Sequence, residues 1–444
     1  MDTIAAIATS RGVGSISIVR VSGANSLDIA KKLSKKSNFT PRVATLTPLF
    51  NSNSEIIDEA IVIYFKTPNS FTGEDVVEFQ CHGGIVVSDL ILSEVIKYGA
   101  RLAEPGEFSK RAFINGKIDL TKAEAVAKLI ETKSIDAAKI LARQLKGELK
   151  EFVQSARENL IEILAFVEVN IDYAEEDLPG DLIKQIELKL LDLRDELEQI
   201  YNSSKRREGL LEGFRVAIIG KPNVGKSSLL NSLLNYDRAI TSEIAGTTRD
   251  TIEEEIRVGT HIIKIVDTAG IRLARDSIEK IGIERSIDAI KKSDIIIAMF
   301  DNSRAFDKED EKILNELEKF KDKEILYVLN KSDLKNLFDV TKLNRDFIKL
   351  NLKKNPQEVV DKVEKILDLI ANEDTLLLTS KRQLEAVMSA CESIDRSVEL
   401  LNEHQLELFA FCINEAIEAI SSISTNFERG EILDKMFGNF CLGK

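Results

Sequence analysis

The sequence contains few of the residues that build metal centres, with three histidines and four cysteines among 444 residues. The cysteines are Cys81, Cys391, Cys412 and Cys441, and no two of them form a Cys-x-x-Cys pair. This usage argues against a zinc-ligand cluster and indicates a reducing compartment.

Long apolar runs and an excess of basic residues are also missing. An apolar run such as Ile295–Phe300 is far shorter than the roughly 20 residues that cross a bilayer. The first residues, Met1–Ile4, show neither the basic nor the apolar segment of a signal peptide. We therefore expect a cytoplasmic protein with no membrane partner. The formal net charge of −13 and the pI near 5.1 argue against a broad basic surface, so an RNA would be met by a local patch or through another protein.

The sequence does contain a phosphate-binding loop. Gly220–Ser227 reads Gly-Lys-Pro-Asn-Val-Gly-Lys-Ser and stands between the apolar run Val216–Ile219 and the segment Ser228–Leu230. This order predicts a strand, a loop whose N–H groups face a polyphosphate, and the start of a helix. Lys226 would meet the β- and γ-phosphates, and the Ser227 hydroxyl would ligate Mg²⁺.

Three further motifs favour GTP and GDP as ligands. Asp267–Gly270 follows a strand-like run and would hold the Mg²⁺ shell and sense the γ-phosphate. Gly246–Asp250 predicts a switch in which Thr248 reaches Mg²⁺ and the γ-phosphate. In Asn330–Asp333, the last carboxylate can accept hydrogen bonds from N1–H and the 2-amino group of guanine, and adenine offers neither donor.

The predicted nucleotide contacts fall in four groups. They are Asn223, Val224, Gly225, Lys226, Ser227 and Ser228 in the first loop, Ser242, Glu243, Ile244, Ala245, Gly246, Thr247 and Thr248 in the switch, Asp267, Thr268, Ala269 and Gly270 in the second loop, and Asn330, Lys331 and Asp333 at the base.

The remaining sequence divides by its hydrophobic pattern. Residues 1–118 indicate a mixed α/β unit, with strand-like runs at Ser15–Val21, Ala60–Phe65 and Val76–Cys81 and a helical pattern over Gly84–Tyr98. Residues 119–212 and 375–444 carry amphipathic helical spacing, and residues 213–374 alternate strands with helices as a parallel sheet requires. The predicted fold class is therefore α/β and α, with a P-loop GTPase domain inserted into a helical domain. One apolar helical stripe is formed by Leu160, Ile161, Leu164, Val167 and Ile171.

Hydrolysis needs a group that positions the attacking water. Ile271 stands where Ras-type enzymes carry a water-orienting glutamine, so another residue has to do this. Asn223 either helps a monovalent cation to offset transition-state charge or only caps the loop. Glu279 either reaches the water through a second water or is an exposed helix carboxylate.

Several stretches along the whole chain match one known family. They are Asp2–Ala6, Pro68–Glu78, Cys81–Gly84, Glu104–Phe113, Asn115–Leu120, the GTPase motifs and the terminal Cys441–Lys444. Through them the chain resembles the MnmE (TrmE) family of tRNA modification GTPases. The resemblance implies an aminomethyltransferase-like N-terminal domain (residues 1–118) that binds 5-formyl- or 5,10-methylene-tetrahydrofolate and mediates homodimerisation. It also implies a helical domain (119–212 and 375–444) that is interrupted by the GTP-binding domain (213–374).

The resemblance further implies roles for individual residues. It places folate contacts at Arg20, Glu78, Lys117 and Lys444, a K⁺ site at Asn223, Ser242, Ile244 and Thr247, Mg²⁺ ligands at Ser227 and Thr248, and the catalytic glutamate at Glu279. Chemically, Glu78 can accept from pterin donors, while Arg20 and Lys117 can meet the acidic end or the formyl oxygen.

The same resemblance implies a reaction. K⁺-dependent GTP hydrolysis would be linked to pairing of the GTP-binding domains across the dimer. In a heterotetramer with the FAD-dependent MnmG (GidA) protein, the dimer would add an aminomethyl or carboxymethylaminomethyl group at C5 of the wobble uridine of certain tRNAs, contacted mainly through the complex. Cys441 is a candidate nucleophile or redox group, and the alternative is a tail that serves only the Lys444 contact.

One motif departs from the GTPase pattern. The loop whose backbone N–H contacts guanine O6 is replaced by Leu350–Lys354, with Lys353 at the matching position. Low base affinity and fast nucleotide exchange would follow.

Two other functions stay open. A regulatory GTPase, such as a ribosome-assembly factor, would require a basic accessory domain, and the composition shows none. A folate enzyme that uses its GTPase domain only as a scaffold would not need Lys226, Ser227, Asp267 and Thr248, and all four are intact.

Overall fold

The computed structural model describes residues 2–172, 180–238, 254–266, 288–320, 323–343, 345–352, 354–355, 357–371, 376–403, 405–425, 437–438, 440 and 443. The chain forms two compact units. The first comprises Met1–Ala127, Lys150–Ala165 and Asn414–Lys444, and the second comprises Lys128–Leu149 and Phe166–Ile413. The domain boundaries given above stay predictions.

A six-stranded sheet forms the centre of the first unit. Its strands are β1 (Ile4–Ile7), β2 (Ile16–Ser22), β3 (Thr45–Phe50), β4 (Ile56–Phe65), β5 (Val76–His82) and β6 (Arg101–Leu102), in the order β3-β4-β5-β2-β1-β6. All neighbours are antiparallel except β1 and β6. The helices α1 (Ser26–Ser34) and α2 (Ile85–Lys97) contribute Ile29, Leu33, Ile91 and Val95 to the core on one face of this sheet.

The structure confirms the three strands and the helix that the sequence predicts here, and it adds the three strands β1, β3 and β6. The strand β1 reads Ile-Ala-Ala-Ile and is buried on both sides, so it lacks the alternation that marks a half-buried strand. The strand β3 contains Pro48, which has no backbone N–H. An edge strand such as β3 tolerates proline because the N–H groups on its outer side pair with no other strand.

Further helices, several of them long, lie outside the sheets. They are α3 (Glu107–Ile114), α4 (Leu120–Glu131), α5 (Ile135–Lys146), α6 (Glu148–Asp172), α7 (Gly180–Arg206) and α8 (Glu208–Glu212), and, later in the chain, Lys381–Asn402 and Leu406–Ser421. On α6, Leu160, Leu164 and Val167 are buried as the stripe predicts, but Ile161 is exposed. The prediction for Ile161 was wrong because this residue follows Leu160 directly, so its side chain lies about 100° around the helix. The side chain of Ile171 is not among those that the structure describes.

The second unit contains the parallel sheet that the sequence predicts. Its strands are β7 (Phe214–Gly220), β8 (Glu254–Val258), β9 (His261–Val266), β10 (Ile295–Asp301), β11 (Glu324–Asn330) and β12 (Phe347–Lys349), in the order β12-β11-β10-β7-β9-β8. Only β8 runs antiparallel to its neighbour. Among the residues that the structure describes, the helices beside this sheet include α9 (Lys226–Arg238), α10 (Lys308–Leu317) and α11 (Gln357–Ala371).

Alternate residues of β10 enter two separate cores. Ile295, Ile297 and Met299 pack on one face of the sheet, and Ile296, Ala298 and Phe300 pack on the other. A strand buried on both faces has a continuous apolar sequence, and this is characteristic of a parallel sheet with helices on both sides. Of the helices that the structure describes, none has both the length and the apolar character to cross a bilayer.

Candidate functional site

The phosphate loop lies at the carboxyl end of the parallel sheet. Strand β7 ends at Gly220, helix α9 begins at Lys226, and β7 pairs on either side with β9 and β10. A Cβ atom at Gly220 would lie 2.4 Å from the carbonyl oxygen of Met299, and Gly220 has a φ of +146°. Only glycine fits this position, so the sequence pattern has a direct steric cause.

Lys226 lies over the loop that precedes it. Its Nζ donates hydrogen bonds to the carbonyl oxygens of Gly220, at 2.6 Å, and Lys221, at 2.9 Å. The side chain is half-buried, and burial lowers its pKa to about 8. The ammonium group is thus held by neutral acceptors, and a bound polyphosphate would stabilise its charged form.

Asn330 connects the predicted guanine motif to the phosphate loop. Its buried amide Nδ2 donates to the carbonyl of Val224 at 2.8 Å, and its Oδ1 accepts from the N–H of Leu352 at 3.3 Å. A Cβ on Gly225 would lie 2.4 Å from the same Nδ2. The segment after β12 contains the predicted guanine loop that departs from the GTPase pattern. Through Leu352 it contacts Asn330, the first residue of the guanine motif. Lys353 itself lies outside the described residues.

The other residues of this motif lie at the surface. Asp333 is exposed, and Lys331 forms an ion pair with Asp301 in which Nζ and Oδ2 are 2.6 Å apart.

Three predicted contacts of the phosphate loop, Asn223, Ser227 and Ser228, are exposed. Asn223 adopts a left-handed conformation with a φ of +64°, which asparagine tolerates better than most residues.

An ion cluster that the sequence did not reveal supports the phosphate loop. Lys221 is buried, and its Nζ donates to Asp307 Oδ2 at 2.8 Å and to Asp310 Oδ2 at 2.7 Å. The two aspartates form a capping box at the start of α10. Burial opposes the charge of Lys221, but the two carboxylates outweigh it and raise the pKa of this lysine. The Asp-x-x-Asp spacing predicts a helix start, whereas the lysine partner is far away in sequence.

Several predicted site residues lie outside the described residues. They are Ser242, Glu243, Ile244, Ala245, Gly246, Thr247, Thr248, Asp267, Thr268, Ala269, Gly270, Glu279, Cys441 and Lys444.

Two residues of the predicted folate site form a pair in the first unit. Arg20 on β2 lies opposite Glu78 on β5 in the strand register, and Arg20 Nε donates to Glu78 Oε1 at 2.9 Å. The guanidinium lies 5.6 Å from the ring centroid of Phe71 and 5.7 Å from that of Phe108. Both are cation–π distances, so two aromatic rings fix the arginine in addition to its carboxylate.

Lys117 and the chain terminus approach the same region. The Lys117 side chain is exposed and lies 3.2 Å from the position of a Cβ on Gly73, in the loop that also carries Phe71. The carbonyl of Gly443 accepts a hydrogen bond from Arg20 Nη1 at 3.5 Å. Gly443 stands directly before Lys444.

A buried arginine beside this site, Arg111, was not predicted from the sequence. Arg111 on α3 forms ion pairs with Asp2 at 2.8 Å, Glu107 at 3.0 Å and Glu74 at 3.1 Å. These bonds join the first residues of the chain to the loop before β5. The Glu107–Arg111 spacing of four residues was the one readable signal.

Comparisons with known proteins agree along the chain. The family model described as the N-terminus of the GTP-binding protein TrmE matches residues 3–117, and that of the MnmE helical domain matches residues 120–441. The tRNA modification GTPase MnmE of Aliarcobacter butzleri is 60% identical over 443 residues, covering 100% of this chain and 99% of the relative. The protein of the same name from Sulfurimonas denitrificans is 58% identical over 444 residues, with the same coverage of 100% and 99%.

A solved structure of Era in complex with MgGDPNP and part of 16S ribosomal RNA is 25% identical, with a TM-score of 0.26 over 40% of this chain and 66% of that one. A TM-score this low does not bear on the fold. The full-length relatives and the two family models do bear on identity: the chain belongs to the MnmE family of tRNA modification GTPases.

Proposed function

We propose that this chain couples hydrolysis of GTP to modification of the wobble uridine of certain tRNAs, with a one-carbon unit from folate. In this proposal an FAD-dependent MnmG (GidA) partner shares the chemistry, and the product carries an aminomethyl or carboxymethylaminomethyl group at C5. The GTP part of the proposal rests on the hydrogen bond from Asn330 to Val224, which joins a guanine motif to a phosphate loop. The tRNA part rests on the full-length relatives named tRNA modification GTPase.

The nucleotide would lie along this loop. Lys226 would leave its two carbonyl acceptors, 2.6 and 2.9 Å away, for the β- and γ-phosphates. Asp333, which is exposed, would accept from guanine. Ser227 and Thr248 would ligate Mg²⁺, which screens the phosphate charge, and the oxygen chemistry of their hydroxyls suits that ion.

Potassium would act beside the same phosphates. Asn223 is exposed in a left-handed turn of the loop, and its side-chain oxygen would contribute to a K⁺ site with Ser242, Ile244 and Thr247. Glu279 would position the water, since Ile271 offers no hydrogen bond. Replacing Na⁺ with K⁺ should raise the hydrolysis rate of the wild-type protein and not that of Asn223→Ala. An equal response of both proteins would remove Asn223 from the cation site.

The folate would occupy the region of Arg20 and Glu78. A pterin ring offers donors that a carboxylate accepts, and its glutamate tail offers carboxylates that cations bind. Glu78, Arg20 and Lys117 supply this combination, and the exposed ring of Phe71 provides an aromatic face near it. Lys444 would join through the chain end at Gly443.

The first unit would also form the homodimer interface. Its exposed apolar residues include Ile85, Val86 and Leu90 at the start of α2, Val13 in the loop before β2, and Ile16 at the start of β2. The two segments are adjacent, because a Cβ at Gly83 would lie 2.8 Å from the N atom of Ile16. Exposed apolar groups of this kind mark protein contacts. Sedimentation should show a dimer that Val86→Asp weakens, and a dimer unchanged by Val86→Asp would place the interface elsewhere.

Mass analysis of tRNA from cells that lack this protein tests the whole proposal. The wobble uridines of some tRNAs should lose the C5 group. Unaltered uridines together with defective ribosome assembly would favour the regulatory GTPase instead. Cys441→Ser tests the tail separately: full modification by this variant would remove the thiol from the chemistry and leave the Lys444 contact as the role of the tail.

A further inference from the structure

Asp301 is a buried carboxylate at the end of β10, beside the predicted guanine motif. In the strand register it lies opposite Asn330, the first residue of that motif. Only 2% of Asp301 is exposed, and both of its oxygens have partners. Oδ1 accepts from the N–H of Ser303 at 2.9 Å and from its hydroxyl at 2.6 Å, while Oδ2 accepts from Lys331 Nζ at 2.6 Å.

The loop after β10 is joined to the guanine loop at further points. The N–H of Asn302 donates to the carbonyl of Asn330 at 2.9 Å, and the carbonyl of Asn302 accepts from the N–H of Leu337 at 2.9 Å. Phe338 packs against Phe300 and Phe306, with ring centroids 5.7 and 5.6 Å apart. The segment that carries Asp333 is thus attached to the β10 loop at both of its ends.

Lys331 is the residue through which this support would act on the base. Its φ of +62° is a left-handed conformation that a lysine seldom adopts. Such a conformation persists where surrounding contacts enforce it, and the ion pair with the buried Asp301 is one such contact. Because Asp333 stands two residues later, the backbone at Lys331 determines where its carboxylate points.

We propose that Asp301 is a positioning residue for guanine recognition, which acts by holding Lys331 and thereby directing Asp333 to the base. The inference rests on the proposed role of Asp333. Asp301, at the end of β10, would thus contribute to the selection of guanine without contacting the base.

The test compares GDP with inosine diphosphate (IDP), whose base lacks the 2-amino group. Asp301→Ala should raise the dissociation constant for GDP about tenfold and that for IDP less, so that the preference for GDP falls by about threefold or more. Asp301→Asn keeps an acceptor but loses the charge, and it should have a smaller effect of the same kind. The kcat at saturating GTP should stay within about twofold, because the phosphate contacts do not change.

Two controls separate this role from general support of the fold. Arg304→Ala removes a side chain 3.7 Å from the same carboxylate, and Glu316→Gln breaks an exposed lysine pair in the same unit. Neither should change the GDP preference. Equal loss of GDP and IDP binding in Asp301→Ala, or no loss, would overturn the proposal.

A third variant tests the base contact on which the inference depends. Asp333→Asn should move the preference from GDP toward xanthosine diphosphate, because an amide can donate to the added oxygen of xanthine. If it does not, the proposed guanine contact fails. If it does while Asp301→Ala keeps the wild-type preference, only the role of Asp301 fails.

Discussion

Lys226 and Arg20 are both partly shielded cations at candidate ligand sites, but their surroundings differ. Lys226 donates to two neutral carbonyls, and burial lowers its pKa to about 8. Arg20 lies 2.9 Å from the carboxylate of Glu78 and close to two aromatic rings. The first arrangement leaves positive charge for a polyphosphate to neutralise. The second offers both a donor and an acceptor, which suits a ligand such as folate that carries both.

The largest effect is expected at Lys226, which donates to two carbonyl oxygens among the described residues. Lys226→Met should lower kcat/KM for GTP by about 10²–10³-fold, because a preorganised charge on the transferring phosphate is lost. Steady-state hydrolysis in potassium buffer measures this. Lys319→Met, which removes an exposed lysine paired with Glu316, is the matched control and should keep wild-type activity. Activity of Lys226→Met within tenfold of the wild type would contradict the assigned role.

A smaller effect is expected at Glu78, the carboxylate that pairs with Arg20. Glu78→Gln should raise the dissociation constant for 5-formyl-tetrahydrofolate by about tenfold or more, because a hydrogen bond to a charged acceptor is lost. Isothermal titration calorimetry measures it, and GTP hydrolysis by the isolated protein should stay within about twofold. Glu59→Gln, on the exposed side of the neighbouring strand β4, is the control. Unchanged folate affinity in Glu78→Gln would move the ligand to another site.

The smallest effect concerns the charge state of Lys226. Below pH 8 this lysine is protonated with or without nucleotide, so its titration does not alter GDP affinity. Above pH 8 the empty site loses the proton, whereas bound phosphates keep the ammonium charged, so binding takes up a proton. GDP affinity should then fall by up to about tenfold between pH 8 and 9. Lys226→Arg stays charged and should lose this part of the pH dependence. Identical profiles for both proteins would show that Lys226 does not titrate in this range.

The sequence predicted features whose residues are contiguous. The phosphate loop, the guanine motif and the strand β10 each depend on a short segment, so their chemistry can be read without knowing the fold. It did not predict the partners that distant segments supply. Lys221 meets Asp307 and Asp310, and Arg111 meets Asp2, only after folding.

The two sites differ in how far their contacts follow from local sequence. Arg20 and Glu78 could each be assigned by family resemblance, but their pairing follows from the register of β2 and β5, which no local pattern contains. Asp301 follows an apolar strand like many other aspartates, and its contact with Lys331 depends on the parallel register of β10 and β11.

The most direct test of the account is the state of the wobble uridines in cells that produce single variants in place of the wild-type protein. Mass analysis should find the C5 group absent from the affected tRNAs with Lys226→Met, strongly reduced with Glu78→Gln, and at wild-type level with the controls Lys319→Met and Glu59→Gln. Wild-type modification with Lys226→Met would contradict the claim that GTP hydrolysis at this loop drives the tRNA reaction.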